Sequence, residues 1–238
     1  MISRMKKPYL KKYGKIAHFK VYIVDGKYIR TNINEEFTNF GQHYHFRFIP
    51  KDEFWIDKEY HHGNEVHYFI DHLLLENRLM TNGHDYDYAL GKADALEKSE
   101  RRKSKLLKKY SRNLIKHVHE RLFKKYCKNV NVWLVNGELV RDRYFVDFTE
   151  GGHDLIYHFI PKNEVWIDSD VNPREMKYVL LHELHERNLM AKMLKRKIKK
   201  NLNERYLTAH HSASNIEYFC RHHPKGLDKA LKEELKKC

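Results

Sequence analysis

Apolar side chains recur along this chain in two kinds of run, and each kind occurs twice. The first kind is short and β-rich: Val21-Tyr22-Ile23-Val24 and Val132-Trp133-Leu134-Val135. Each is followed by a turn-forming pair, Asp25-Gly26 or Asn136-Gly137, and then by further apolar residues. Such pairs between β-rich runs are a strong hairpin signal, because both turn positions require positive φ. A third strand is expected over about 43–49 and 153–160, a turn at Pro50 or Pro161, and a fourth strand ending at Asp57 or Asp168. The second kind of run has helical period and spans about 64–80 and 85–100, then about 173–197 and 203–221. Strands followed by helices predict an α+β fold, each half an antiparallel meander of about four strands and a helical hairpin. Residues 101–128 lack Gly and Pro and read as a helical connector, and Pro224-Lys225-Gly226 breaks the chain before a short last helix.

The two halves are copies of one unit. Val21–Arg30 matches Val132–Arg141 and Phe48–Asp57 matches Phe159–Asp168, both at an offset of 111. Glu65, His72, Glu76, Leu79 and Met80 match Glu175, His182, Glu186, Leu189 and Met190 at an offset of 110. Tyr86, Ala89, Ala93 and Glu97 match Tyr206, Ala209, Ala213 and Glu217 at an offset of 120. Preserved order with dense identity marks an internal repeat. The expected organisation is a degenerate N-terminal repeat (1–100), a basic connector (101–128) and a C-terminal repeat (129–238).

The second copy carries the candidate chemistry. On a helix, Glu175, His182 and Glu186 fall in one narrow stripe flanked by Tyr178, Val179 and Leu189. Ionisable groups on a partly apolar face need partners. On the next helix His210 and Glu217 share a face beside Ala209, Ala213 and Ser214, which are small enough to let the helices approach. A hairpin of these helices predicts that His182, Glu186 and His210 converge. Two imidazoles and a carboxylate suit a divalent cation, zinc ahead of iron. Glu175, Glu217 and His153, in Gly151-Gly152-His153 (aligned with Gly41-Gln42-His43), are expected as further ligands or as groups that orient a ligating histidine. Glu183 follows His182 as the catalytic glutamate follows the first histidine of zinc peptidases, although the motif here is His-Glu-x-x-Glu. In the first copy Glu65, His72, Glu76 and Glu97 remain, while Leu73 replaces Glu183 and Leu90 replaces His210. The retained groups equally fit a buried hydrogen-bonded network with a structural role in both copies.

These motifs resemble an uncharacterised group of small bacterial and phage proteins. The likeness rests on Gly151 to His153, Ile160 to Asp168, His182 to Met190 and Tyr206 to Glu217. It covers nearly all of the second copy and implies the same unit boundaries and residues, but no reaction. Members of that group have one unit, so the doubling departs from their pattern.

Charge adds a second reading. The formal net charge is +14, but segments 1–15, 101–128 and 191–206 together carry +23, so the remaining body is acidic at −9. Such asymmetry points to a polyanionic partner, with phosphate contacts expected from Lys103, Lys105, Lys108, Lys109 and Arg112 and from Lys195, Arg196 and Lys197. The last three lie in a ten-residue insertion between the helices of the second copy, where they would also steer an anionic substrate. No apolar run approaches the roughly 20 residues that cross a bilayer, and no apolar segment follows the basic N-terminus as in a secretory signal. Three unpaired cysteines suggest a reducing compartment and a cytoplasmic protein. The sequence therefore leaves two functions open. One is a metal-dependent hydrolase acting on an anionic substrate. The other is a non-enzymatic nucleic-acid-binding or phage- or virus-related interaction protein with a structural His/Glu network.

Overall fold

The computed structural model describes residues 7–60, 65–110, 114–123 and 129–237. Arg112, Cys127 and Cys238 lie outside them. The elements run β1 (Tyr9–Ile16), β2 (Phe19–Val24), α1 (Gly26–Asn32), β3 (Phe40–Gln42), β4 (Glu53–Asp57), α2 (Val66–Thr81), α3 (Tyr86–Arg101), α4 (Lys105–Lys109) and α5 (Leu114–Val118). They continue as β5 (His119–Leu122), β6 (Asn131–Val135), α6 (Gly137–Arg143), β7 (Gly151–His153), β8 (Glu164–Asp168), α7 (Met176–Lys195), α8 (Leu202–His222) and α9 (Leu227–Lys237). The chain divides into a first unit of Met1–Arg112 with Glu138–Asp147, and a second unit of Asn113–Gly137 with Phe148–Cys238.

The class is α+β, with two four-stranded sheets of the same plan, β1-β2-β4-β3 and β5-β6-β8-β7. Neither is the expected meander. β2 pairs with β4 in parallel, as β6 does with β8, while the outer pairs are antiparallel. The hairpin expectation fails at its glycines. Gly26 and Gly137 open helices α1 and α6 rather than turns. A Cβ on Gly26 would stand 1.7 Å from Asp57 Oδ2, and one on Gly137 1.9 Å from Asp168 Oδ2. Each glycine is needed for the close approach of a carboxylate to the helix start, where backbone N–H groups are unpaired. Asp57 accepts from Gly26 N–H and from Arg30 Nη1, the latter at 2.9 Å.

The third strands are shorter and earlier than expected, at Phe40–Gln42 and Gly151–His153. The following residues turn back towards Pro50 and Pro161, so most of 43–49 and 153–160 is not strand. Their register gives the true alignment. Phe40 opposes Ile56 and Gly151 opposes Ile167, so His153 corresponds to Gln42 and not to His43. Residues 101–128 are not one helix: they contain α4, α5 and β5, and β5 pairs with β6.

The four long helices fall where their periodicity predicts. In the first unit α2 lays Val66, Phe69, Ile70 and Leu73 on Val21, Ile23, Phe54 and Ile56 of the sheet. In the second, α7 lays Val179, Leu180 and Leu184 on Val132, Leu134, Val165 and Ile167, and α9 adds Leu227 and Leu231. The insertion lengthens both second-unit helices: α7 has 20 residues against 16 in α2, and α8 has 21 against 16 in α3. No described helix is long and apolar enough to cross a membrane.

Candidate metal centre

Ala209 and Ala213 are fully buried in the α7–α8 contact, which brings the polar stripes of the two helices within bonding distance. His182 Nε2 lies 3.1 Å from His210 Nδ1, and Glu186 Oε2 lies 2.9 Å from His210 Nδ1 and 3.6 Å from His182 Nε2. A tetrahedral cation at about 2.0–2.1 Å would hold its donors about 3.3 Å apart. One point about 2 Å from all three atoms therefore exists, just outside their plane. The three residues converge as their spacing predicts.

The surrounding groups fix this arrangement. Glu217 Oε2 takes the proton of His182 Nδ1 at 2.9 Å, which turns Nε2 towards Glu186 and His210. Arg221 Nε donates to Glu217 Oε1 at 2.8 Å, and its Nη1 donates to Glu175 Oε2 at 2.7 Å. Glu175, expected at the site, thus acts at one remove through Arg221. His153 is also placed as an orienting group. The Leu155 N–H donates to its Nδ1 at 3.2 Å, so the ring proton sits on Nε2 and is donated to Glu186 Oε1 at 2.9 Å. With Nδ1 accepting, His153 has no lone pair to offer a cation through Nε2.

Electrostatics follow from these contacts. Burial opposes charge on His182, but Glu186 and Glu217 outweigh it and raise its pKa well above the usual imidazole range. Burial likewise opposes ionisation of Glu217, yet His182 and Arg221 bring it down to about 2. Glu186 is lowered against burial by His153, His182 and His210. Glu183 behaves oppositely: burial, then the charge of Glu186, pushes it up to about 7. One of its carboxylate oxygens lies within 4.8 Å of donor atoms on His153 and Glu186. A carboxyl titrating near neutrality is suited to take and return a proton.

The chain matches no known family model, and no curated protein or solved structure is significantly similar to it.

The first unit holds the same scaffold, with His72 and Glu76 at the His182 and Glu186 positions but no counterpart of His210 or Glu183. His72 Nδ1 meets Glu97 Oε2 at 2.9 Å, Arg101 Nε donates to Glu97 at 2.7 Å, and Arg101 Nη1 donates to Glu65 at 2.7 Å. Gln42 donates to Glu76 as His153 donates to Glu186. Leu90 and Leu73 stand at the His210 and Glu183 positions. Phe40, at the Gly151 position, stacks on Phe69 at 4.6 Å and meets the His72 ring edge-on at 5.1 Å. In the second unit a Cβ on Gly151 would press within 3.0 Å of Val179 Cγ1 and 3.1 Å of Glu183 Cγ, so a side chain there would crowd that side of the site.

Arg101 and Arg221 escaped the sequence reading, and Gly151 enters it only as part of the turn before His153. The arginines were findable: they keep the 120-residue offset and follow Glu97 and Glu217 by four. Among the basic residues, Lys103, Lys105, Lys108 and Lys109 are exposed in the first unit, and Lys195, Arg196 and Lys197 are exposed in the second. The last three do not adjoin the site, since nine helical residues from Glu186 to Lys195 span about 13 Å. His185 joins a separate chain, with Nδ1 2.8 Å from Glu234 Oε1 and Nε2 2.9 Å from Ser212 Oγ. Ser212 lies inside α8, where neighbouring N–H groups are consumed by the helix and cannot receive an oxyanion. This Ser-His-Glu chain therefore ties α9 to α7 and α8.

Proposed function

We propose that the second unit binds one divalent cation through His182, Glu186 and His210, zinc ahead of iron, and uses it to hydrolyse an anionic substrate. The observation that carries this reading is the triangle of donor atoms at 2.9–3.6 Å, with Glu217 holding the far nitrogen of its first histidine. A carboxylate behind a ligating imidazole fixes its orientation and raises its basicity. Three protein ligands leave a position for water, whose pKa a zinc ion lowers to about 7. Glu183, whose carboxyl is pushed up to about 7, would be the group to accept a proton from that water and to return it to the leaving group. The exposed Lys195, Arg196 and Lys197 attract an anionic substrate at long range.

Elemental analysis of protein purified without added metal tests the reading. About one zinc per chain is expected, lost in His210→Ala with the fold retained. Absence of metal in the wild-type protein, even after incubation with zinc, would reject it.

A second reading is favoured by Lys103, Lys105, Lys108 and Lys109, all exposed on and beside α4. Four phosphate contacts would give nucleic-acid binding a log–log salt slope of about −3 to −4. Binding insensitive to salt would exclude it.

A further inference from the structure

The two units differ in what covers one face of their helical hairpin. In the second unit that face is closed by α9, whose Leu227 and Leu231 pack with Val130, Leu184 and Cys220 and with Ile216. In the first unit the corresponding face of α2 and α3 is an open groove of about 780 Å³. Position by position the faces agree: Phe19 stands for Val130, Leu74 for Leu184, Leu75 for His185 and Leu96 for Ile216. Leu74, Leu75 and Leu96 are only half-buried, whereas Leu184 is fully buried beneath α9.

The polar positions show what an occupant would carry. In the second unit Asn188 donates to Glu234 of α9 at 3.1 Å. Arg78 stands at the Asn188 position in the groove, so a carboxylate three residues after the second leucine would meet a guanidinium there. Glu100 and Asp71 stand where the second unit has Cys220 and Leu181. Glu100 Oε2 is buried and has no hydrogen-bond partner among the described residues. Asp71 and Glu100 both line the groove, so a lysine from an occupant would face two carboxylates there.

We propose that this groove docks an amphipathic helix of a partner protein. The helix would carry leucines at i and i+4 against Phe19, Leu74, Leu75 and Leu96. It would carry a glutamate at i+7 facing Arg78 and a lysine facing Glu100. This is the helix-in-groove mode, read as spaced apolar anchors. The chain's own α9 has this pattern in Leu227, Leu231 and Glu234, but it is seated in the second unit. Using it from a second copy would require stripping that core.

A synthetic peptide of residues 224–237, acetylated and amidated, is the probe, added to the full-length 15N-labelled chain. Saturable shifts are expected at the amides of Leu74, Leu75, Arg78 and Leu96. Leu75→Glu and Arg78→Glu should each weaken binding at least about tenfold, the cost of an unpaired or like-charged group at the contact. Both residues are partly exposed, so melting of the free variants should match the wild type. A peptide of the same composition with its leucines displaced should not bind. The proposal is overturned by no shifts at millimolar peptide, by equal shifts with the displaced peptide, or by shifts on α7 and α8 alone. Self-association of the chain abolished by Leu75→Glu would also overturn it, because a second copy would then be the occupant.

Discussion

Replacing Glu217 by glutamine keeps the size of the side chain and removes the charge that holds His182 Nδ1 at 2.9 Å. The amide can still accept at one atom, so the fold should survive, but the imidazole loses its carboxylate. Loss of such a partner weakens metal binding about 10–100-fold. The effect can be read as stabilisation of the folded chain. At a zinc concentration 100 times the wild-type Kd, linkage gives about 2.7 kcal/mol. The same zinc would give Glu217→Gln only about 0.4–1.4 kcal/mol. For a chain of this size each kcal/mol moves Tm by about 2–4 °C. Scanning calorimetry with and without zinc should therefore show a wild-type rise of about 5–11 °C and a clearly smaller rise in the variant. Differences between each protein's own two scans remove any direct effect on stability. Equal rises would mean that Glu217 does not act through a bound cation. No rise in either protein would remove the centre itself.

Other residues give independent tests. Arg101→Met removes a fully buried guanidinium shared by Glu65, Glu97 and Asp142, leaving Glu65 only Arg141 and Glu97 only His72 as charged partners, and should cost about 3–5 kcal/mol in urea unfolding. Gly26→Ala forces a methyl group onto the Asp57 carboxylate and should cost at least about 1–3 kcal/mol, with Gly137→Ala behaving alike. Glu234 is brought down to about 2, against burial, by His185, Lys237 and Asn188. Its contribution is complete above the ordinary glutamate value and is lost as pH falls through about 2, so the penalty of Glu234→Gln should be larger at pH ~6 than at pH ~2.5. Combining Phe40→Gly, Gln42→His, Leu73→Glu and Leu90→His should raise zinc stoichiometry from about one to about two per chain.

Much of the site was legible because helical stripes are local. Glu175, His182 and Glu186 are read from one helix, His210 and Glu217 from the next, and small residues between them imply contact. The sheet was less legible because its signals are not local. Gly26 looks like a hairpin glycine until Asp57, 31 positions later, arrives against it. The first strands were missed because Tyr9–Ile16 and His119–Leu122 are edge strands interrupted by charge, three lysines in one and Glu120-Arg121 in the other, the composition that protects an exposed edge and hides its periodicity. The role of His153 was obscured by one residue of misalignment, since the offset changes from 111 to 110 only after the fourth strand.

The first unit shows how the same scaffold behaves when a proton occupies the histidine, and this separates a metal centre from a structural network. Burial opposes charge on His72, but Glu76 and Glu97 push it up to about 10. Its imidazolium bridges the two glutamates at 2.9 and 3.4 Å. Its stabilising contribution is complete below the ordinary imidazole value and is lost as pH rises through about 10. The Glu-Arg-Glu-His chain is thus self-sufficient in the first unit, and its presence in both copies says nothing about a cation. The discriminating residues are His210, Glu183 and Gly151, which the first unit replaces with Leu90, Leu73 and Phe40. If the second unit holds a cation, it must displace the equivalent proton on His182, because ligands bind metal deprotonated. Side-chain NMR at neutral pH should then show His72 as imidazolium with or without zinc, and His182 as imidazolium only without it. Two histidines that both keep their protons under saturating zinc would make the second site a network like the first.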